Sequence, residues 1–346
     1  MKTTSVYISG TGAVSPAGWG VPSLIRAVEE KVQIEPTAKL RPGWTEGILI
    51  NTVPLPSPRP AFLAQPRMRR SSPISQYTVG AALEAIGSRG EEIRSGKLRL
   101  GIILCVMSGC VNYSRRFYEE ALRDPATASP LVFPETVFNA PSSHLTALLD
   151  SKAINYTIVG DPGTFLQGLA MGSEWLLEER VDLCLVVGTE EQDWLTASAF
   201  TYFSKESRVS EGAGAVLLSL QAGINGAVRL ERITESILYL KRRSREEAVG
   251  KLREQLDGET PDDLLVDSQQ NCQRFDKQEA FSFGDWKGTR ISPKKILGEG
   301  LMAAAAWQSV VAVNALEKKQ AMRAYISMPG LNQQAIGAIF SREAHL

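Results

Sequence analysis

The sequence predicts a layered α/β fold. Short apolar runs typical of buried strands alternate along the chain with segments of helical periodicity. This alternation favours sheets covered by helices over an all-β sandwich or a helical bundle. The 346 residues, 43% of them hydrophobic and 22% charged, are enough for about two domains or one large two-part core. No short-period repeat interrupts the pattern.

The N-terminal part begins with a predicted strand at residues 6–10, a glycine-rich turn at Gly10-Thr11-Gly12 and a helix at residues 22–30. Five prolines between residues 54 and 66 predict an irregular surface loop, because proline lacks the backbone donor that a sheet requires. The next predicted elements are helix 73–86, strand 100–106, helices 113–123 and 142–150, strand 154–159, helix 163–179, and strands 181–187 and 214–220.

The C-terminal part is smaller. Its predicted elements are strand 228–233, helix 244–256, strand 264–267, helix 293–318, and strands 323–328 and 335–340. Apolar and small residues recur in the long helix with a period of 3.6, at Met302, Ala305, Ala306, Ser309, Val310, Val313 and Leu316. This stripe predicts a central helix that is tightly packed on both sides.

The charge balance and the apolar runs exclude several classes of partner. With 38 basic and 38 acidic residues and no basic stripe, the chain lacks the electrostatic footprint of a nucleic-acid-binding protein. Its longest apolar runs, such as residues 183–187 and 303–307, are far shorter than a membrane span of about 20 residues. A strand begins soon after Lys2, with no preceding apolar signal region. We therefore expect a cytoplasmic protein without a membrane partner.

The cysteines and histidines are too few and too scattered for a metal site, so we expect neither a metal nor a cofactor. No C-x-x-C pair occurs, which fits a reducing compartment. We expect Cys105, Cys110 and Cys184 in the core and leave the exposure of Cys272 open. The histidines are His144 and His345. Because there are only two, a mechanism that needs two imidazoles in one pocket is nearly excluded.

The predicted strand 154–159 joins the next helix through Gly160-Asp161-Pro162-Gly163-Thr164. A junction of this kind often holds a nucleophile in α/β enzymes, because the free amides and the dipole of the helix favour a developing anion. Here the residue in that position is a proline. Asp161 is a good helix N-cap and Pro162 suits the first helical position, so helix chemistry accounts for both without catalysis.

Five landmarks follow in order along the chain. They are VYISGTGAVSP at residues 6–16, Arg69-Arg70 ahead of the helix with Tyr77, NAPSSH at 139–144, residues 157–169 with VDLCLVVG at 181–188, and SEGAGA at 210–215. Together they resemble the β-ketoacyl synthases, the condensing enzymes of fatty-acid and polyketide synthesis. The resemblance spans nearly the whole chain and implies the thiolase-like fold. In that fold two similar βαβ halves, here residues 1–222 and a shortened 223–346, form α-β-α-β-α layers.

The departures from the family pattern fall on its catalytic positions. The resemblance aligns the acyl-accepting cysteine with Pro162. It aligns the first catalytic histidine with the segment Ser268, Gln269, Gln270 and Asn271, and the second with Glu299, five residues after a retained Lys294. The family's glycine-rich gating loop is replaced by PGLNQQ at residues 329–334. No catalytic residue is therefore predicted here, because the retained Lys294 lies at a helix start, where a lysine is more often a surface or structural cation than a catalytic group.

These departures remove the condensing chemistry that the family implies. Condensation needs a thiolate, two neutral donors on the malonyl group and backbone N–H groups around the oxyanion. Pro162 lacks both the thiol and the amide, and the loss of one oxyanion donor alone typically costs about 3 kcal/mol of transition-state stabilisation. Glu299 would bring a carboxylate toward an anionic substrate. We predict a protein without condensing activity.

Three hypotheses about function follow. The first is a subunit like a chain-length factor that pairs with an active ketosynthase, or alternatively forms a homodimer, beside strand 154–159. Such subunits usually carry glutamine at the cysteine position, so Pro162 departs from that pattern as well. The second is an acyl-thioester enzyme of changed chemistry that uses Glu299, Asp161 or His144 as acid or base. Thr164 is a weak candidate nucleophile in it, because no base can be assigned to its hydroxyl.

The third hypothesis is a module that docks an acyl carrier protein without reacting. Carrier proteins are acidic, so a cluster of Arg67, Arg69, Arg70 and Lys294 on one face would indicate such a docking site. A solvated basic loop is the simpler interpretation of the same arginines.

Overall fold

A computed structural model describes residues 5–222, 228–240 and 242–343, with the backbone alone at residues 242 and 243. The strands in chain order are β1 Val6–Ser15, β2 Gly18–Trp19, β3 Thr37–Leu40, β4 Gly47–Ile50, β5 Leu100–Val106, β6 Ile154–Val159, β7 Leu183–Glu190, β8 Gly212–Ser219, β9 Val228–Ile233, β10 Ile237–Leu238, β11 Leu264–Val266, β12 Thr289–Ile291, β13 Arg323–Pro329 and β14 Gln334–Arg342. The helices are α1 Val21–Glu30, α2 Pro73–Ile86, α3 Gly90–Arg94, α4 Val111–Arg123, α5 Ala140–Leu149, α6 Thr164–Leu177, α7 Trp194–Thr201, α8 Arg242–Gln255, α9 Gln273–Ser282, α10 Pro293–Leu297 and α11 Met302–Glu317.

Two groups of five strands repeat one topology. The first has the order β1-β8-β7-β5-β6, and the second has the order β9-β14-β13-β11-β12. In both groups the first two strand pairs are antiparallel and the last two are parallel. A short antiparallel pairing of β1 with β9 joins the groups. The predicted division at residue 222 stays a prediction, since residues 223–227 lie outside the described residues.

Helices cover both faces of each group of strands. On β7, Leu185 and Val187 pack in the cluster that contains α2 and α5, whereas Cys184 and Val186 pack in the cluster that contains α6 and α11. Helices α6 and α11 also pack on the inner face of the second group of strands, and α8 covers the outer face of that group. The order of layers is therefore α-β-α-β-α, as predicted. The central helix α11 is buried along both sides, also as predicted.

The predicted turn at Gly10-Thr11-Gly12 is wrong, because β1 continues through it to Ser15 and the chain turns at Pro16 and Ala17. These glycines serve packing. A Cβ atom on Gly12 would lie 1.9 Å from the carbonyl oxygen of Ala81 in α2, which no side chain tolerates. Glycine therefore allows α2 to rest directly on the backbone of β1.

The predicted helix 293–318 is two helices, α10 and α11, separated by residues 298–301. Gly298 and Leu301 both have positive φ angles, of 87° and 52°, which end the helical path. Between them the Glu299 amide donates to the carbonyl of Arg208 at 2.8 Å, and the Glu299 carbonyl accepts from the Ser210 amide at 2.9 Å. The break thus turns Glu299 toward the N-terminal half.

Several elements escaped the sequence prediction. The hairpin β3–β4, helices α7 and α9, and the edge strand β12 were absent from it. The proline-rich segment is also less exposed than predicted, since its 3₁₀ turns Ala61–Ala64 and Met68–Arg70 bury Leu63 and Met68. Among the described residues, no helix combines the length and apolarity that a bilayer crossing requires.

Candidate functional site

The predicted nucleophile position lies at the elbow between β6 and α6. The helix begins at Thr164, so Pro162 lies two residues before the first helical position, and that part of the prediction is wrong. Asp161 is not an N-cap either. Its buried carboxylate accepts hydrogen bonds from the backbone N–H groups of Leu331 at 3.1 Å, Asn332 at 3.2 Å and Gln333 at 3.5 Å. The carboxylate thus occupies a ring of loop amides.

The elbow itself offers few free donors. Pro162 has no N–H group. The first three amides of α6 already donate within the elbow, from Thr164 to Asp161 O at 2.7 Å, from Phe165 to Pro162 O at 3.3 Å and from Leu166 to Gly163 O at 3.0 Å. The donors that usually make a helix N-terminus attractive to an anion are therefore already bonded inside the protein.

The loop that carries these amides, residues 329–334, is held from both sides. Gly330 is required on the Asp161 side, because a Cβ atom there would lie 1.6 Å from the carboxylate. On the other side, the buried Arg245 guanidinium donates to the carbonyls of Pro329 at 3.2 Å and Gly330 at 3.1 Å. The Tyr239 hydroxyl also donates to the Gly330 carbonyl. Charge-assisted hydrogen bonds to Asp161 on one side and to Arg245 on the other therefore hold this loop in place.

Lys294 and Glu299 form a buried ion pair. Lys294 Nζ lies 2.8 Å from Glu299 Oε2, and the two residues are 4% and 0% exposed. The other carboxylate oxygen accepts the Leu301 amide at 2.8 Å, so both oxygens are satisfied. Because Lys294 is buried, it cannot join Arg67, Arg69 and Arg70 in the surface cluster that would have indicated carrier docking.

In the segment aligned with the first catalytic histidine, Ser268 forms hydrogen bonds inside the protein. The Ser268 amide donates to both oxygens of Glu279 at 3.1 Å, and its hydroxyl donates to the Ser327 carbonyl at 2.9 Å. Burial first, and then the charge of the nearby Asp267, raise the pKa of Glu279 to about 8. Glu279 was missed by the sequence analysis, since one glutamate in the charged helix α9 carries no distinguishing pattern.

The remaining residues of that segment face outward or toward neighbouring turns. Gln269 Oε1 accepts from Lys295 Nζ at 2.8 Å, and the Gln270 amide donates to Asp276 Oδ1 at 3.0 Å. Asn271 adopts a left-handed conformation with φ of 61°. None of these side chains replaces an imidazole.

His144 is fixed away from the elbow. Arg67 Nε donates to its Nδ1 at 3.2 Å, so its Nε2 carries the proton and lies 2.8 Å from Glu135 Oε1. No hydrogen bond in the described part of the chain joins any two of His144, Asp161 and Glu299. The three acid–base candidates therefore have separate partners. Thr164 accepts from Gln334 Nε2 at 3.2 Å, and His345 lies outside the described residues.

The four cysteines lie in the interior of the protein. Cys105, Cys110 and Cys184 are buried, which confirms their expected place in the core, and Cys272 is buried too. Burial raises the pKa of Cys184 to about 12 and raises those of Cys105 and Cys110 strongly. Within residues 5–222, 228–240 and 242–343, no group of three or more His, Cys, Asp or Glu side chains is suited to a metal ion.

Solved structures resemble the chain in fold, whereas no protein-family model and no curated protein matches it. The ishigamide ketosynthase/chain length factor superposes with a TM-score of 0.77 at 14% identity, covering 98% of this chain and 100% of the other. A β-ketoacyl synthase from Burkholderia phymatum gives 0.75 at 15% identity, covering 99% and 100%. A ketosynthase in complex with its chain length factor, from Xenorhabdus doucetiae, gives 0.76 at 13%, covering 98% of each chain. The chain therefore has the thiolase-like fold that these ketosynthase and chain-length-factor structures represent.

Proposed function

We propose that this protein is a non-catalytic subunit of ketosynthase type that pairs with an active ketosynthase in fatty-acid or polyketide synthesis, as a chain length factor does. The observation that carries the proposal is the elbow. Pro162 supplies neither thiol nor amide at the position where the fold's condensing enzymes carry their nucleophile, and the neighbouring Asp161 already occupies the loop amides.

Electrostatics at the elbow opposes an acyl intermediate. An oxyanion requires preorganised donors within hydrogen-bond reach. The amides of residues 331–333 are directed to the Asp161 carboxylate, and those at the start of α6 to elbow carbonyls. A second anion placed there would compete with Asp161 for the same donors and be repelled by its charge. A tetrahedral intermediate is therefore not stabilised.

The described part of the chain also lacks free hydrogen-bond donors that could activate a malonyl group. Lys294 and Glu299 neutralise each other in the interior, and Ser268 hydrogen-bonds to the backbone of β13. The acyl-thioester alternative would require a convergent acid and base, but His144 pairs with Glu135 and Asp161 binds the loop. These contacts favour a structural role for the polar interior.

The partner would bind along β6. This strand pairs only with β5, so its outer backbone edge has no partner strand within the described chain. Tyr156 and Val159 on it are 48% and 52% exposed. An open edge with exposed apolar side chains invites addition of a strand, and a second subunit of the same fold would supply one around a pseudo-two-fold axis.

Mass spectrometry tests whether the protein lacks acylation and condensing activity. The purified protein is incubated with acyl-CoA and then with acyl carrier protein charged with malonyl groups, beside an active ketosynthase as positive control. We expect no acyl adduct and no elongated product from the isolated protein. An acyl group bound covalently to this chain, or elongation without a companion subunit, would overturn the proposal.

Pairing is tested by co-expression with candidate ketosynthases and affinity purification. Val159→Asp on β6 should abolish the complex, because it places a charge on the proposed apolar interface. Leu55→Asp is the matched control, since Leu55 is 93% exposed and lies in the proline-rich loop. A stable homodimer that binds no ketosynthase would contradict the heterodimer and favour self-association.

A further inference from the structure

Helix α4 and the segment that follows it, residues 111–138, form a unit that we call the α4 arm. Every residue of α4 is described, and none of the 13 is buried. The segment after α4 folds back along the helix. The Ser129 amide donates to Glu120 Oε2 at 3.0 Å, and the ring centroids of Phe117 and Phe133 lie 5.4 Å apart. The helix and the segment therefore pack on each other, at the surface of the molecule.

The surface of the α4 arm is rich in large apolar side chains. Those that are between 39% and 73% exposed are Tyr118, Leu122, Leu131, Phe133, Val137 and Phe138. Tyr118 and Leu122 are four residues apart on α4 and therefore lie on one face of the helix. Grouped apolar surface of this kind is uncommon on a monomer and marks a site of interaction. The described part of the chain leaves this apolar surface uncovered.

Buried carboxylates hold the base of the α4 arm. The fully buried Glu191 accepts the Asn112 amide at 2.8 Å. The Arg115 guanidinium lies 2.7 Å from a carboxylate oxygen of Asp193, which is also buried. A surface that is already held in place loses little conformational entropy when it binds a partner. The base of the arm is thus preorganised for association.

The α4 arm begins beside the open edge of β6. Strand β5, which leads into the arm, pairs in parallel with β6 as far as Val106 and Val159. Three residues after Val106, a Cβ atom on Gly109 would lie 2.0 Å from the ring of Phe138. Phe138 therefore rests against the backbone that leaves β5. The exposed Phe138 and the exposed Val159 lie near the same end of these two strands.

The short length of β6 implies that a partner needs a further contact surface. The strand has six residues and is about 20 Å long. A stable interface between two proteins usually buries about 1,600 Å² in total, which is more than the pairing of one such strand supplies. The α4 arm continues the edge of β6 with apolar surface, so one partner can cover both.

We propose that the α4 arm forms a second part of the interface with the ketosynthase, packing its apolar surface on the subunit that adds a strand to β6. This inference rests on the proposed function, and it names the surface that the pairing requires in addition to the strand edge. The matching surface of the partner is apolar, because exposed apolar side chains gain most from burial against apolar groups.

Binding measurements on single variants test the inference with a ketosynthase recovered by co-expression. Leu122→Asp and Leu131→Asp each place a charge on the apolar surface of the arm. We expect each to raise the dissociation constant at least about tenfold. Both side chains are exposed, so circular dichroism should show an unchanged fold. Leu240→Asp is the matched control, since Leu240 is 91% exposed and follows β10 in the C-terminal part, and it should leave the dissociation constant unchanged.

Hydrogen–deuterium exchange of the free chain and of the complex shows whether the arm itself is covered. We expect slower exchange in the α4 arm and β6 on binding, with no change in α8. Loss of binding in Val159→Asp but not in the two arm variants, or unaltered exchange in the arm, would overturn this inference and leave the proposed function standing. A wild-type chain that binds no ketosynthase would overturn both. A homodimer weakened by the arm variants would identify a second copy as the occupant and refute the ketosynthase.

Discussion

At the scale of single residues, Asp161 determines what the elbow can do. One carboxylate holds three consecutive backbone amides of a loop that is distant in sequence, and burial raises its pKa while those amides oppose the rise. On the opposite side of the loop, the Arg245 guanidinium donates hydrogen bonds to the carbonyls of Pro329 and Gly330. The backbone amides of residues 331–333 are therefore already bonded to a carboxylate of the protein itself.

Replacement of Asp161 should cost the fold heavily. Asp161→Ala leaves three partly buried loop N–H groups without their acceptor, and we expect the free energy of unfolding to fall by about 1–3 kcal/mol. Urea denaturation followed by circular dichroism measures the change. Asp257→Ala, at a residue whose side chain is 76% exposed, is the control and should cost less than about 0.5 kcal/mol. Equal small effects of the two would mean that the loop is not held by the carboxylate.

The buried pair Lys294–Glu299 gives a second prediction at this scale. Lys294→Met leaves the Glu299 charge uncompensated, and we expect a loss of about 3–5 kcal/mol in unfolding free energy. The double variant Lys294→Met with Glu299→Gln should recover most of it. The surface pair Lys318–Glu29, with side chains 43% and 42% exposed, is the comparison, and Lys318→Met should cost less than about 1 kcal/mol. A double-mutant cycle measures the difference, and additive losses would contradict it.

At the scale of elements, small residues decide how closely helices approach the sheet. Gly10 and Gly12 let α2 rest on β1, and Gly188 in β7 faces the Met302 carbonyl at the start of α11 in the same way. The break between α10 and α11 depends equally on local backbone freedom, since Gly298 has a φ of 87°. These positions therefore set how closely the helices approach the strands.

Gly12→Ala should therefore destabilise the protein strongly. The added methyl group would overlap the Ala81 carbonyl, and α2 would have to move away from β1, at a cost of about 3 kcal/mol or more. Thermal denaturation measures the effect. Gly90→Ala is the matched control, because no atom lies within 4 Å of its added Cβ and its φ is ordinary for a helix. That control should be neutral or slightly stabilising.

At the scale of the whole molecule, fully buried carboxylates make the fold sensitive to pH. Glu190 accepts the amides of Met107 and Ser108, and Glu191 accepts those of Ile74 and Asn112. Burial raises the pKa of Glu190 to about 8 and that of Glu191 to about 7, from an ordinary value of 4.5. The folded state therefore keeps protons that the unfolded chain has released.

The sign of the pH dependence follows from that difference. The stabilisation due to these protons is complete below the unfolded pKa of 4.5 and is lost as the pH rises through the folded values of about 7 and about 8. We expect the free energy of unfolding to fall between about pH 5 and pH 8. Glu190→Gln should flatten that slope in urea denaturation, whereas Glu246→Gln on exposed α8 should not. An unchanged slope in Glu190→Gln would contradict the assignment.

The sequence by itself determined the layered α/β class, the central helix α11 and the absence of a thiol at Pro162, because apolar periodicity and residue identity are local properties. Motif order predicted the thiolase-like fold, which the solved structures confirm. The alignment of Ser268 and Glu299 with catalytic histidines stays a prediction.

Only the tertiary structure decided the roles of the polar interior. Asp161 was predicted to cap α6 and instead binds amides 170 residues away. The sequence left Lys294 open as a surface or a structural cation, and the fold buries it against Glu299. The fold also decided the role of Glu279, whose carboxylate accepts the Ser268 amide although no sequence pattern in α9 distinguishes this glutamate. A buried polar group takes whichever partner the fold brings within hydrogen-bond distance, and that partner is set by contacts between distant segments.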